Sequence, residues 1–157
     1  MRTTDTISID APLARVFETS RQIERWPQIL SHYRWVRILE RRPDGALVEM
    51  AAWRPFGGGL ARWPTWWVSE MTVDAAAHAI RYRHVRGVTA GMDVRWVLRE
   101  TDGPPRRTVE ITLTHDWIGP AWPVVGGLAA ALVIGPVFVH GIASRTLAGI
   151  KRHVEAG

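Results

Sequence analysis

The sequence contains no cysteine, and Lys151 is its only lysine. The absence of cysteine excludes a disulfide framework, a thiol nucleophile and any zinc or iron–sulfur site with cysteine ligands. The N-terminal residues Met1–Thr6 carry no apolar run behind Arg2, and a secretory signal requires such a run. We therefore expect a cytoplasmic protein.

The chain has 157 residues, of which 46% are hydrophobic and 22% are charged. This composition is that of a folded globular protein and excludes a disordered or collagen-like chain. Because one domain usually has about 100–200 residues, we expect a single domain over residues 1–157 and no separate cofactor domain.

The net charge is +5, from 20 basic and 15 acidic residues. The arginines are spread along the whole chain and form no tract of five or more, which favours a solvated surface over a nucleic-acid interface. We expect no nucleic-acid partner. Nine tryptophans are more unusual in a chain of this size, and tryptophan is frequent where proteins bind flat hydrophobic molecules.

Alternating apolar and polar residues predict about seven strands in a mostly antiparallel order. The predicted strands are Thr3–Ile9, Val36–Arg42, Leu47–Trp53, Trp63–Met71, Ala79–Val85, Met92–Glu100 and Thr108–Trp117. Turns are marked most clearly at Pro43–Gly45 and Asp102–Pro105, where proline presets φ and glycine permits a positive φ.

Helical patterns stand between the first two predicted strands and at the C-terminus. Asp10–Pro12 is typical of a helix start, and Trp26-Pro27 breaks this segment and opens a second short helix that ends at Leu30. From Val137 an apolar stripe predicts a helix of about 20 residues, ~30 Å long. Its apolar members are Val139, Ala143, Leu147, Ile150 and Val154.

No aspartate, glutamate, lysine or arginine occurs in residues 118–143. This length approaches the ~20 apolar residues that span a bilayer. Proline and glycine interrupt the run, so we expect no membrane span and leave open a contact with the membrane surface. Trp53, Trp66 and Trp122 are candidates for an outer patch that contacts a partner or the membrane interface, with packing under the loop at 119–136 as the alternative.

The alternation places four polar residues on the predicted inner face of the sheet: Ser69, Tyr82, His84 and His115. A hydrophobic core does not require such groups, and each of them must form a hydrogen bond to the protein or to water. His84 and His115 are candidates for a general base, with a satisfied interior histidine as the alternative. No third histidine or inward carboxylate accompanies them, so we expect no metal site. Gly57–Gly59 lacks a following Lys-Ser/Thr pair and is interpreted as a loop without a phosphate site.

Five short segments resemble the polyketide aromatase/cyclases: Ile23–Pro27, Ser31–Tyr33, Trp67–Glu70, Met92–Trp96 and Ser144–Thr146. That family belongs to the helix-grip superfamily, with the START-related lipid-binding domains and the birch-pollen-allergen-like proteins. The resemblance implies an α+β helix-grip fold, in which a curved antiparallel sheet of about seven strands wraps around a long C-terminal helix. Two short helices would lie between the first and second strands.

The resemblance also implies an internal cavity for a polyketide-like, aromatic or lipid-like molecule, bound without a cofactor. It gives Ser69 and Tyr33 as candidate catalytic residues in a polyketide cyclase/dehydrase, and the place of His84 on the inner face adds it as the third. Residues expected to contact the ligand are Trp26, Trp67, Tyr82, Trp96, Met71 and His115. Met71 stands where the cyclases have a pocket arginine, two residues after the serine, and their second pocket arginine falls on or beside His84. The alternative is a non-catalytic quinone or lipid carrier with membrane contact.

Overall fold

The computed structural model of the protein describes residues 1–56, 61–101, 108–118 and 136–157. The strands in these ranges are β1 (Arg2–Ile9), β2 (Tyr33–Arg42), β3 (Gly45–Phe56), β4 (Ala61–Asp74), β5 (Ala79–Gly87), β6 (Asp93–Thr101) and β7 (Thr108–Asp116). They form one antiparallel sheet in the order β1-β7-β6-β5-β4-β3-β2. All seven predicted strands are therefore present, and β2 to β7 follow each other as a meander with β1 beside β7.

Short helices connect β1 to β2, as the sequence predicts. They are α1 (Leu13–Arg21) and α2 (Trp26–Ile29), with a 3-10 turn at Ile23–Arg25 between them. Pro27 lies in the first turn of α2, where its missing N–H costs no helical hydrogen bond. The predicted turn at Pro43–Gly45 is also confirmed, since β2 ends at Arg42 and β3 begins at Gly45.

The C-terminal helix α3 (Pro136–Glu155) packs against β1, β3, β7, α1 and α2. Its buried stripe consists of Ala143, Leu147, Ile150 and Val154, as predicted; the side chain of Val139 lies outside the described residues. A Cβ at Gly149 would lie 2.3 Å from Leu30 Cδ2, so glycine permits this close approach of α3 to the end of α2. A curved sheet held around this helix is the helix-grip fold.

The inner face of the sheet follows the predicted alternation. The residues buried on it in β5, β6 and β7 include Tyr82, His84, Val94, Trp96, Leu98, Ile111, Leu113 and His115. Trp63 is an exception, because 63% of its surface is exposed although the alternation places it on the inner side. Alternation predicts on which face of the sheet a residue lies, but it does not predict how much of that face other elements cover. Trp63 lies near the start of β4.

The outer face carries the other predicted tryptophans. Trp66 is 38% exposed and its Nε1 donates to Glu49 Oε1 at 2.8 Å. Trp53 is half-buried, with the Arg34 guanidinium 4.6 Å from its ring centroid. The outer placement of Trp53 and Trp66 is thus confirmed, whereas Trp122 lies outside the described residues.

Several other sequence predictions also fall outside the described ranges: the Gly57–Gly59 loop, the Asp102–Pro105 turn and most of the uncharged run at 118–143. Within the ranges that are described, no helix is long and apolar enough to cross a membrane.

Candidate functional site

A cavity of about 70 Å³ lies between the inner face of the sheet and α3. Five aromatic side chains line it: Trp26, Tyr33, Trp67, Tyr82 and Trp96. The other lining residues are Met50, His84, Thr89, Met92, Val94, Leu113, His115, Ile142, Ala143 and Thr146. The cavity therefore has mainly apolar walls with a few polar groups, which is the usual composition of a small-molecule site.

The aromatic wall is built from elements that are distant in sequence. The Trp26 ring lies 5.2 Å from Tyr33 and 5.8 Å from Trp96, and Tyr33 lies 6.3 Å from Trp67. Edge-to-face and tilted contacts at these distances stabilise aromatic pairs beyond the burial of their area. The short helix α2 is thus fixed to β2, and through Trp96 to β6, at the wall of the cavity.

Two histidines face the cavity from β5 and β7. The His84 ring stacks on Trp67 at 5.9 Å, and its Nδ1 lies 2.6 Å from Thr89 Oγ1. Burial, followed by the proximity of His115, lowers the pKa of His84 to about 3. Burial lowers the pKa of His115 to about 4. Both rings are therefore neutral at pH 7, each with one N–H donor and one acceptor nitrogen.

Three buried polar atoms on the inner face have no hydrogen-bond partner among the described residues: Ser69 Oγ, Tyr82 Oη and His115 Nδ1. Leaving such a group unpaired costs about 1–3 kcal/mol. Burial raises the pKa of Tyr82, so its hydroxyl remains a donor. Tyr82 and His115 both line the cavity, and a bound molecule with polar atoms would satisfy them.

The structure brings seven of the nine sequence-predicted site residues together at the cavity. Ser69 and Met71 share the inner face of β4 but are not lining residues. Ser69 is fully buried and pairs with Val48 on one side and His84 on the other. Met71 is 5% exposed and is opposite Tyr82.

Sequence reasoning missed several lining residues. Thr146 belongs to one of the segments that resemble the cyclases, so the sequence contained a signal for it. Met50 follows the alternation of β3 and could have been placed on the inner face in the same way. Thr89 lies in the turn after β5, and no periodic pattern points to it.

No group of three histidine, aspartate or glutamate side chains in the described ranges is arranged to hold a metal ion.

Residues 9–132 match the family model described as polyketide cyclase / dehydrase and lipid transport. The chain belongs to this family. It is 34% identical over 100 residues to a protein of Streptomyces halstedii described as a polyketide cyclase, a match that covers 63% of this chain and 88% of that protein.

Two further similarities extend over more of the chain. The actinorhodin polyketide synthase bifunctional cyclase/dehydratase of Streptomyces coelicolor is 28% identical over 134 residues, which are 83% of this chain and 39% of that protein. The crystal structure of the Zhui aromatase/cyclase from Streptomyces sp. R1128 has a TM-score of 0.73 and 22% identity, and the match covers 100% of this chain and 98% of that one. This structural likeness confirms the fold.

Proposed function

We propose that the protein binds a poly-β-ketone chain or a related aromatic molecule in the cavity and promotes its cyclisation and dehydration. The observation that carries this proposal is the pair of unpartnered polar atoms, Tyr82 Oη and His115 Nδ1, among aromatic walls. Family membership and the relatives described as cyclases support the reaction class.

The two side chains suit the two halves of an aldol closure. The Tyr82 hydroxyl donates a hydrogen bond to a ketone oxygen, where negative charge develops when the adjacent C–H bond loses its proton. A neutral His115 accepts that proton. The new carbon–carbon bond forms at a second carbonyl carbon, whose oxygen takes up the proton and becomes a hydroxyl. Dehydration then removes this hydroxyl together with the remaining proton of the attacking carbon as water and leaves a carbon–carbon double bond. Of the three predicted catalytic residues, Tyr33 and His84 reach the cavity to assist, whereas Ser69 is not at its surface.

The size of the cavity adds a requirement to this proposal. A volume of about 70 Å³ is smaller than the ~300–1,000 Å³ of common ligand pockets. Met50 and Met92 form part of the wall, and methionine side chains adapt easily to a new shape. Entry of a ligand therefore requires movement of such side chains.

The proposal is tested by the product distribution of a linear poly-β-ketone, which also cyclises without protein. The chain is released by a reconstituted polyketide synthase, and products are separated by liquid chromatography and mass spectrometry. We expect the wild-type protein to enrich one cyclised, dehydrated product, and Tyr82→Phe and His115→Asn each to reduce this enrichment about tenfold or more, as for loss of a transition-state hydrogen bond.

Trp66→Phe, on the outer face, is the matched control and should leave the enrichment unchanged. A product distribution identical with and without the wild-type protein would contradict the catalytic proposal.

A second candidate is the non-catalytic carrier. It is favoured by the absence of a charged side chain among the described residues that line the cavity. In addition, Met71 occupies the position at which the cyclases have a pocket arginine. A carrier would bind the molecule tightly without changing the product distribution. Calorimetric binding measured beside the product assay separates the two candidates.

A further inference from the structure

The turn between β5 and β6 places a buried hydroxyl against the ring of His84. Thr89 is 3% exposed and lines the cavity, and its Oγ1 lies 2.6 Å from His84 Nδ1. The backbone of the turn is held on two sides. The Gly91 N–H donates to the His84 carbonyl oxygen at 2.9 Å, and Trp117 Nε1 donates to the Ala90 carbonyl oxygen at 3.0 Å. The backbone therefore fixes Thr89 beside His84.

The direction of the bond between Thr89 and His84 follows from the partners of each group. The ring of His84 is neutral at pH 7, because burial lowers its pKa to about 3, so it carries one proton. The Thr89 hydroxyl has no second acceptor among the described residues. If His84 Nδ1 donated, the threonine proton would be buried without an acceptor, which is unfavourable. Thr89 is therefore the donor, and the His84 proton lies on Nε2.

Tyr82 provides a second donor beside His84. It lies two residues earlier in β5 on the same inner face, and both side chains line the cavity. Side chains at this spacing are about 7 Å apart at Cβ, so both can reach one ligand oxygen at ~2.9 Å. The Tyr82 hydroxyl has no partner among the described residues, and Thr89 occupies Nδ1 of His84, which leaves Nε2 for the cavity. Both donors are therefore available to one ligand.

We infer that Thr89 is a positioning residue that holds His84 with Nε2–H toward the cavity, so that His84 and Tyr82 donate together to one ketone oxygen of the ligand. Two such donors stabilise the negative charge that develops on this oxygen. They would take the place of the arginines that the cyclases have at Met71 and at or beside His84. This inference rests on the proposed function, because it assumes that the cavity takes a ketone.

A matched pair of ligands tests the shared oxygen site by isothermal titration calorimetry. The probes are 6-acetyl-2-naphthol and 6-isopropenyl-2-naphthol, in which a CH₂ group replaces the ketone oxygen. We expect the wild-type protein to bind the ketone about tenfold more tightly than the alkene, as for two buried hydrogen bonds. Tyr82→Phe and His84→Phe should each reduce this ratio to about threefold, and the double variant should reduce it to about one.

Variants of Thr89 show whether it acts through His84. Thr89→Val keeps the shape of the side chain but removes the donor to Nδ1, so it should reduce the ratio to that of His84→Phe. Thr89→Ser keeps the hydroxyl and should retain the wild-type ratio. In the His84→Phe background, Thr89→Val should change the ratio no further, because coupled residues are non-additive. Circular dichroism confirms that each variant is folded.

Nitrogen-15 NMR of the histidine rings at pH 7 measures the direction of the hydrogen bond without any ligand. In the wild-type protein, the proton of His84 should be bonded to Nε2 and not to Nδ1. The Nδ1 signal should shift in Thr89→Val and return to its wild-type position in Thr89→Ser. The signals that disappear in His84→Phe assign the ring. The wild-type spectrum keeps the test decisive even if Thr89→Val does not fold.

The outcomes separate this inference from the proposed function. A proton on His84 Nδ1 in the wild-type protein, equal wild-type affinities for the two probes, or an unchanged ratio in folded Thr89→Val would overturn the inference and leave the cavity proposal standing. Failure of the wild-type protein to bind either probe would overturn both.

Discussion

At the scale of single residues, the inner face combines polar side chains that are satisfied with others that are not. The His84 ring has Thr89 as a hydrogen-bond partner, whereas the Tyr82 hydroxyl has no partner among the described residues. Alternation along β5 was sufficient to place Tyr82 on this face, but the sequence could not show which polar atoms would be left unpaired. That depends on partners such as Thr146 and Thr89, which lie far along the chain or in a turn.

The hydroxyls of Tyr82 and Thr89 offer a comparison of an unpaired and a paired buried group. Tyr82→Phe removes an unsatisfied buried hydroxyl, so we expect the free energy of unfolding to stay equal or to rise by up to about 1 kcal/mol. Thr89→Val removes a buried hydroxyl that lies 2.6 Å from His84 Nδ1 and should lower the free energy of unfolding by about 1 kcal/mol. Urea denaturation followed by fluorescence measures both. A larger loss of stability in Tyr82→Phe than in Thr89→Val would show that the Tyr82 hydroxyl is already satisfied.

The buried histidines predict a loss of stability in acid. The folded-state pKa values of His84 (about 3) and of His32 and His115 (about 4) lie below the ordinary value near 6.5. As the pH falls below 6.5, these histidines bind protons in the unfolded chain but remain neutral in the folded protein. Their contribution to the free energy of unfolding is therefore fully present above about pH 6.5. It falls toward pH 4, by up to about 1.4 kcal/mol per pH unit for each histidine.

Urea midpoints measured at pH 7, 6 and 5 test this expectation. His115→Asn should make the decline shallower, whereas His153→Gln should leave its slope unchanged because His153 is exposed on α3. A stability that is flat from pH 7 to pH 5 would be inconsistent with three buried neutral histidines.

At the scale of elements, the sequence predicted strands and helices well because most follow one simple period. The apolar stripe of α3 and the alternation of β5 to β7 were sufficient to predict the type of each element and the face that it buries. Two features had no such signal. Nothing in the pattern around Trp63 showed that this residue is exposed, and the contact between Gly149 and Leu30 depends on how α3 is placed against α2.

Two glycines of α3 test the importance of that contact. Alanine is favoured over glycine inside a helix by about 1 kcal/mol. Gly141→Ala would meet no described atom within 4 Å, so we expect stabilisation of about that size. Gly149→Ala would place Cβ 2.3 Å from the buried Leu30 side chain, and overpacking should cost about 1–3 kcal/mol. Thermal unfolding of the two variants should therefore shift in opposite directions, and equal stabilisation would disprove a tight contact between α3 and α2.

At the scale of the whole molecule, the order of the elements along the chain determines the fold. The fold in turn brings the site residues together around one cavity. The sequence identified seven of the lining residues: alternation placed those of β4 to β7 on the inner face, and the resemblance to the cyclases added Trp26 and Tyr33. It could not give the volume of that cavity, which depends on how Trp26, Trp67 and Trp96 pack against one another. At about 70 Å³ the cavity is smaller than common ligand pockets, which have ~300–1,000 Å³.

The most direct test of the central claim is a nitrogen-15 NMR titration of the histidine side chains at pH 7 with 6-acetyl-2-naphthol, an aromatic ketone of the class proposed for the cavity. If the ligand enters the cavity, the ring nitrogens of His115 and His84 should shift in step with binding measured by calorimetry. The exposed His153 should not shift and serves as the internal control. Saturable binding with no change at His115 and His84 would place the ligand elsewhere on the protein and contradict the account.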